Sequence, residues 1–91
     1  MKEWTKEEKQ RQIQKRIKLA FDLVKNVVPT KNVLGCFDVK SLTTDDVYMV
    51  DLMNESCTCQ DWTIYGVFQC IPCKHMIASA IKQKMLGNQK C

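Results

Sequence analysis

No stretch of this sequence is long and apolar enough to cross a bilayer. The longest run without a charge, Trp62 to Cys73, is twelve residues and includes threonine and glutamine, whereas a spanning helix needs about 20 apolar residues. The opening MKEWTKEEKQRQIQKR has no apolar core of the kind a secretory signal requires, so neither export nor membrane anchoring is expected. Catalytic vocabulary is equally sparse. There is one histidine, no paired carboxylates, no glycine-rich phosphate loop and no Ser/His/Asp set, so an enzyme is not expected. Arginine is limited to Arg11 and Arg16, which argues against sequence-specific reading of guanine. Internal repeats, low-complexity tracts and long linkers are absent.

Against this background, six cysteines in 91 residues call for a reason: Cys36, Cys57, Cys59, Cys70, Cys73 and Cys91. A domain this small buries too little apolar surface to be secure on packing alone and often adds a metal or disulfides. Without a sign of export, an intracellular, reducing location (cytoplasm or nucleus) is expected. Closely spaced cysteines there more often bind metal or do chemistry than form structural disulfides. The net charge of +4 is unevenly placed. Residues 1–28 hold eight Lys/Arg against four Asp/Glu, residues 29–56 two against five, and residues 57–91 four against one. That is a mild bias toward polyanions at both ends, too weak to name nucleic acid by itself.

Thr5-Lys6-Glu7-Glu8 has the form of a capping box, and Ile13, Ile17, Ala20, Phe21, Val24 and Val28 follow at helical spacing. This predicts an amphipathic helix over about 6–25, stopped by Pro29, with Lys9, Arg16, Lys18 and Lys25 on a solvated face. Residues 32–40 and 47–52, rich in Val, Phe, Tyr and Met, read as two strands joined by the turn Ser41–Asp46. A loop through Gly66 comes next. After Pro72 a helix fits 74–86, with Met76, Ile77, Ala80, Ile81 and Met85 as its apolar stripe and Gly87-Asn88 as its stop. The expected fold is α+β: a long N-terminal helix over 1–30, then a small ββα finger over 31–91.

The stretch Cys70-Ile71-Pro72-Cys73-Lys74-His75 admits two chemistries. A C-x-P-C-K sequence at a helix entrance suits a thiol-disulfide oxidoreductase using Cys70 and Cys73. That reading needs further strands after the motif, where only one helix and a short tail fit, and it leaves Cys57-Thr58-Cys59 without a role. The other reading is a metal site. Cys57 and Cys59, two apart on an extended segment, present both sulfurs to one side. Cys73 and His75 flank a helix entrance where Pro72 can redirect the chain. Three sulfurs and one nitrogen satisfy tetrahedral Zn²⁺. Cys70 competes with Cys73 as a C-x-x-C alternative.

The order Cys57-x-Cys59, thirteen residues, Cys73-x-His75 resembles the SWIM zinc finger. So do its surroundings: Val39-Lys40-Ser41, Tyr48-Met49-Val50, Trp62 three residues after the second cysteine, and Pro72-Cys73-Lys74-His75 leading into an alanine-containing helix. The resemblance covers about residues 32–86. It implies one structural Zn²⁺ per chain held by Cys57, Cys59, Cys73 and His75, with Cys70 a bystander. Cys36, within a predicted strand, is expected in the core and terminal Cys91 is expected as a free thiol; the resemblance places Trp62 against the metal site. It also implies a nucleic-acid setting. SWIM domains are implicated in DNA binding and in protein contacts, in transposases, helicase-like ATPases, ubiquitin-ligase kinases and partners of recombinase paralogues.

Two surfaces are candidates for partners. Lys74, Lys82, Lys84, Lys90, Arg16 and Lys18 could meet phosphates of DNA. Trp62, Tyr65 and Phe68, in the loop between the two ligand pairs, could stack on unpaired bases if exposed. Alternatively Leu19 and Leu23, flanking the first helix's stripe, could form a strip for a protein partner or a homodimer. A membrane partner is not expected.

Overall fold

A computed structural model of the chain describes residues 2–31 and 33–88. It has the expected α+β class. Helix α1 (Lys6–Leu23) ends in a 3₁₀ turn (Val24–Asn26). A four-stranded antiparallel sheet follows in sequential order, β1 (Val27–Pro29), β2 (Cys36–Lys40), β3 (Val47–Asp51) and β4 (Ser56–Cys57). A helical insertion and helix α3 (Lys74–Asn88) complete the chain. The insertion is a π-helical turn (Trp62–Gly66) running into the short α2 (Val67–Gln69).

Helix α1 starts at its capping box. Thr5 Oγ1 accepts from the Glu8 backbone N–H at 3.2 Å, and Glu8 Oε1 accepts from the Thr5 N–H at 2.9 Å. The hairpin is present, with Phe37 opposite Val50 and Lys40 opposite Val47, but its first strand begins only at Cys36: Leu34-Gly35, expected to be extended, form a turn in which Gly35 takes φ 83°. What the sequence reading did not supply are the two outer strands. The chain becomes extended at Val27, so side chains alternate with period two instead of the helical 3.6. Val27 is therefore buried, while Val28, expected on the helical stripe, lies on the open face of the sheet. Pro29 does not end the helix. It sits on edge strand β1, where a missing N–H is tolerated.

One core joins all these elements: Ala20 and Leu23 of α1, Val27, Phe37, Val39 and Val50 of the sheet, Cys57, Cys59 and Cys73, and Met76 and Ala78 of α3. Two helical stripes differ from expectation. In α1, Leu23 is core and Phe21 is 65% exposed. In α3 the buried positions are His75, Met76, Ala78 and Ser79, while Ala80 is exposed and Ile77 only partly buried. The inward turn of His75 sets the rotation of α3. Buried Ser79 is accommodated because its Oγ donates to the His75 carbonyl at 2.8 Å.

Arg16 is the largest departure. It lies on the inner side of α1, 9% exposed. Asp61 receives it through two hydrogen bonds, Nε to Oδ2 at 2.8 Å and Nη2 to Oδ1 at 2.7 Å, and Gln12 takes the remaining nitrogen. The planar guanidinium makes this forked pairing possible. The N-terminal segment is fixed a second time by Gln69, fully buried, which accepts from the Trp4 N–H at 2.7 Å and donates to the Lys2 carbonyl at 3.0 Å.

A candidate zinc centre

Cys57, Cys59, Cys73 and His75 are all buried, and their ligand atoms lie within 4.8 Å of one another. Among the described residues no other such group of metal-ligating side chains occurs. β4 delivers Cys57 and the chain just beyond it Cys59; the start of α3 delivers Cys73 and His75. Cys73 Sγ and His75 Nδ1 are 3.9 Å apart, so Nδ1 is a ring nitrogen that faces the sulfurs. Donors at about 2.3 Å from a tetrahedral zinc would be about 3.8 Å from each other. The cluster therefore fits one structural zinc ion.

The two sulfurs that follow the short extended segments share a second role. Cys59 Sγ accepts from the Trp62 N–H at 3.4 Å while the Cys59 carbonyl accepts from Thr63 N–H at 3.2 Å. Cys73 repeats this geometry, its Sγ accepting from Met76 N–H at 3.4 Å and its carbonyl from Ile77 N–H at 3.1 Å. Each cysteine thus stands where an N-cap stands, with its sulfur on the N–H three residues on, the job usually given to Ser, Thr, Asp or Asn. Two helix N-termini point their positive ends at the cluster, which favours thiolate. This is why the segment after Cys59 is helical. Cysteine is not a usual capping residue, so the sequence carries no start signal for this helix and reads as a loop.

Without a cation the crowded sulfurs cannot all ionise. Hydrogen bonds from Cys57 and Cys73 hold the Cys59 thiol well below its ordinary range. The bond to Cys59, with burial, pushes Cys57 up to about 11, and bonds to Cys57 and Cys59, with burial, push Cys73 up as well. Bound zinc would replace those protons and cross-link β4, the insertion and α3. Four protein donors leave no open position for water or substrate.

The surrounding residues complete the fit. The Tyr48 ring packs on His75 with centroids 4.5 Å apart. Trp62 packs against the core beside the sulfurs, as the resemblance implied. Gly66 is required there: a Cβ would press into the Trp62 ring and come within 2.9 Å of the Ile71 carbonyl. Cys70 lies outside the cluster. It is exposed, in the left-handed conformation at φ 58°, with its Sγ toward the Val67 carbonyl. Cys36, expected in the core, is half-buried on β2. Cys91 and Lys90 lie outside the described residues.

The other charged candidates separate. Lys18 and Lys84 are exposed, Lys74 and Lys82 half-buried. Arg16, expected among the phosphate contacts, is already held by Asp61, so its charge is matched within the fold.

A buried Cys₃His cluster uniting a small sheet and a helix defines a structural zinc-binding domain. Residues 43–84 match the family model of the SWIM zinc finger, and this part of the chain is a SWIM zinc finger. No curated protein and no solved structure matches the chain. The matched segment begins in the hairpin turn, so α1, β1 and β2 lie outside it while sharing its core. No described helix is long and apolar enough to cross a membrane.

Proposed function

We propose that this chain is a non-catalytic adaptor, folded around one zinc held by Cys57, Cys59, Cys73 and His75, that binds nucleic acid through its phosphates. The observation that carries the reading is a basic flank on α1 and the start of α3. Arg11, Lys15 and Lys18 line one concavity, and Lys15 and Lys74 line a neighbouring cleft of about 280 Å³. Among the described residues the ion pairs are Lys9–Glu3 and Arg16–Asp61, so these four cations are in none of them. Lys84 extends the basic character along α3. Phosphate neutralisation needs no more than such an array and carries no sequence preference. A closed tetrahedral site and a Cys73 that is wholly buried speak against both hydrolytic and disulfide chemistry.

The test is binding of the zinc-loaded protein to labelled duplex and single-stranded DNA over a salt series. Affinity should fall steeply with salt, and Lys15→Ala, Lys18→Ala and Lys74→Ala should each lower the log–log slope by about 1. No binding at low salt would overturn the reading.

A second reading, protein interaction, rests on the opposite side. The sheet face turned away from the helices carries Val28 and Met49, both more than half exposed, in register with Asp38 between them. Four aspartates, Asp38, Asp45, Asp46 and Asp51, lie on or beside that face. Such a surface repels phosphate and suits a protein. Self-association through α1 is less well supported. Its exposed apolar residues, Leu19 and Phe21, lie about 160° apart around the helix and form no strip. Sedimentation would detect either form of assembly.

A further inference from the structure

The helical insertion between the two ligand pairs has no role in the metal site beyond its first turn. It carries no charged side chain from Trp62 to Gln69, yet Ile64, Tyr65, Val67 and Phe68 are all between two- and three-fifths exposed. Trp62 turns inward and uses up Gly66, while Tyr65 and Phe68 remain exposed. One face of Tyr65 stacks on Trp4, with centroids 5.7 Å apart and planes 18° from parallel. Trp4 in turn has the Arg16 guanidinium 6.0 Å from its ring centre. Tyr65 is thereby held in a fixed orientation from behind, and 41% of it faces solvent.

Cations adjoin this aromatic platform. The concavity lined by Trp4 also takes in Arg11, Lys15 and Lys18. The Lys2 backbone is tied to the insertion, its carbonyl accepting from Gln69 Nε2 at 3.0 Å. Of the nearby acids, Glu3 is paired with Lys9, Asp61 with Arg16, and Glu8 is engaged at the helix cap, leaving Glu7 of the same concavity. The insertion exposes four apolar side chains, far fewer than the roughly 20–30 residues a side of a stable protein interface. A strand of nucleic acid needs less apolar area, because each base offers a π-face and each phosphate a charge.

We propose that the insertion is a stacking platform for a single nucleic-acid strand. Bases rest on Tyr65 and Phe68 while the backbone runs toward the basic side of α1. This rests on the nucleic-acid reading above and specifies it: the ligand is unpaired, and recognition is by stacking and charge without base-edge readout.

Four probes separate the contributions: oligo-dT, oligo-U, an abasic deoxyribose-phosphate strand of the same length, and a DNA duplex, each with the full zinc-loaded chain. Stacking on one or two bases implies that oligo-dT binds roughly tenfold or more tighter than the abasic strand. Tyr65→Leu and Phe68→Leu, which keep apolar bulk but remove the ring, should erase most of that advantage and leave abasic and duplex binding unchanged. Oligo-U against oligo-dT reports whether the strand is RNA or DNA. Equal binding of oligo-dT and the abasic strand, or leucine variants that bind oligo-dT as before, would overturn the platform and leave phosphate binding standing. Failure of all four probes at low salt would overturn both. If Tyr65→Leu lost its zinc, the half-exposed Phe68→Leu would decide by the same comparison.

Discussion

At the scale of single residues, the centre is a matter of which atoms face inward. Cys70 and Cys73 are three apart and chemically identical, yet one is exposed and the other fully buried among sulfurs. The left-handed backbone at Cys70 ends the insertion and reverses the chain, and this separates them. The expected consequence is sharp. Serine at position 57, 59 or 73, or alanine at 75, should abolish tight zinc binding and cooperative unfolding, since a structural site contributes on the order of 10 kcal/mol. Cys70→Ser should keep one zinc per chain and an unchanged unfolding midpoint. Metal content after gel filtration, with a denaturant titration, decides it. Release of metal by Cys70→Ser but not by His75→Ala would show the ligand set to be wrong. These four positions were legible in the sequence because ligand spacing is a short-range property. Arg16 was not. A cation within a helix reads as solvated until its anion, 45 residues further on, is placed against it.

Elements are where the sequence was read most unevenly. The capping box, the hairpin turn and the entrance of α3 each depend on neighbours within a few residues, and all three are present in the structure. The two short outer strands depend on pairing with β2 and β3 and carry no periodicity of their own. The rotation of α3 depends on His75 facing the cluster, which composition cannot convey. Arg16 and Asp61 show how elements are tied. Their forked bond joins the middle of α1 to the first turn of the insertion, directly after Cys59. The pair is partly exposed at Asp61, so it is worth less than a buried one and more than a surface pair. Arg16→Lys, which keeps charge but loses the fork, should destabilise the zinc-loaded protein by about 1 kcal/mol, and Arg16→Ala by about 2. A double-mutant cycle with Asp61→Asn should show coupling of similar size. Absence of coupling would mean that α1 is held by Gln69 and apolar packing alone.

Taken whole, the molecule has one core and not a finger with an appended helix. Ala20, Leu23 and Val27 pack in the same cluster as Cys57, Cys59 and Cys73, although the family segment starts only at residue 43. Metal removal should therefore loosen α1 as well as the finger. With a chelator, far-UV helix signal and amide protection in residues 6–23 should fall together with those of 74–88. Retention of protection in α1 alone would mean two independent units. Acid should have the same effect, and the sign follows from the thiols. In the metal-free cluster Cys57 and Cys73 hold their protons above the ordinary thiol range, so zinc must displace protons to bind, and its affinity rises with pH. Stability supplied through the metal is thus present at neutral and higher pH and is lost as pH falls. Because protons and zinc compete for the same sulfurs, the midpoint of acid unfolding should move to lower pH when free zinc is raised. A midpoint indifferent to zinc would assign acid unfolding to the carboxylates instead.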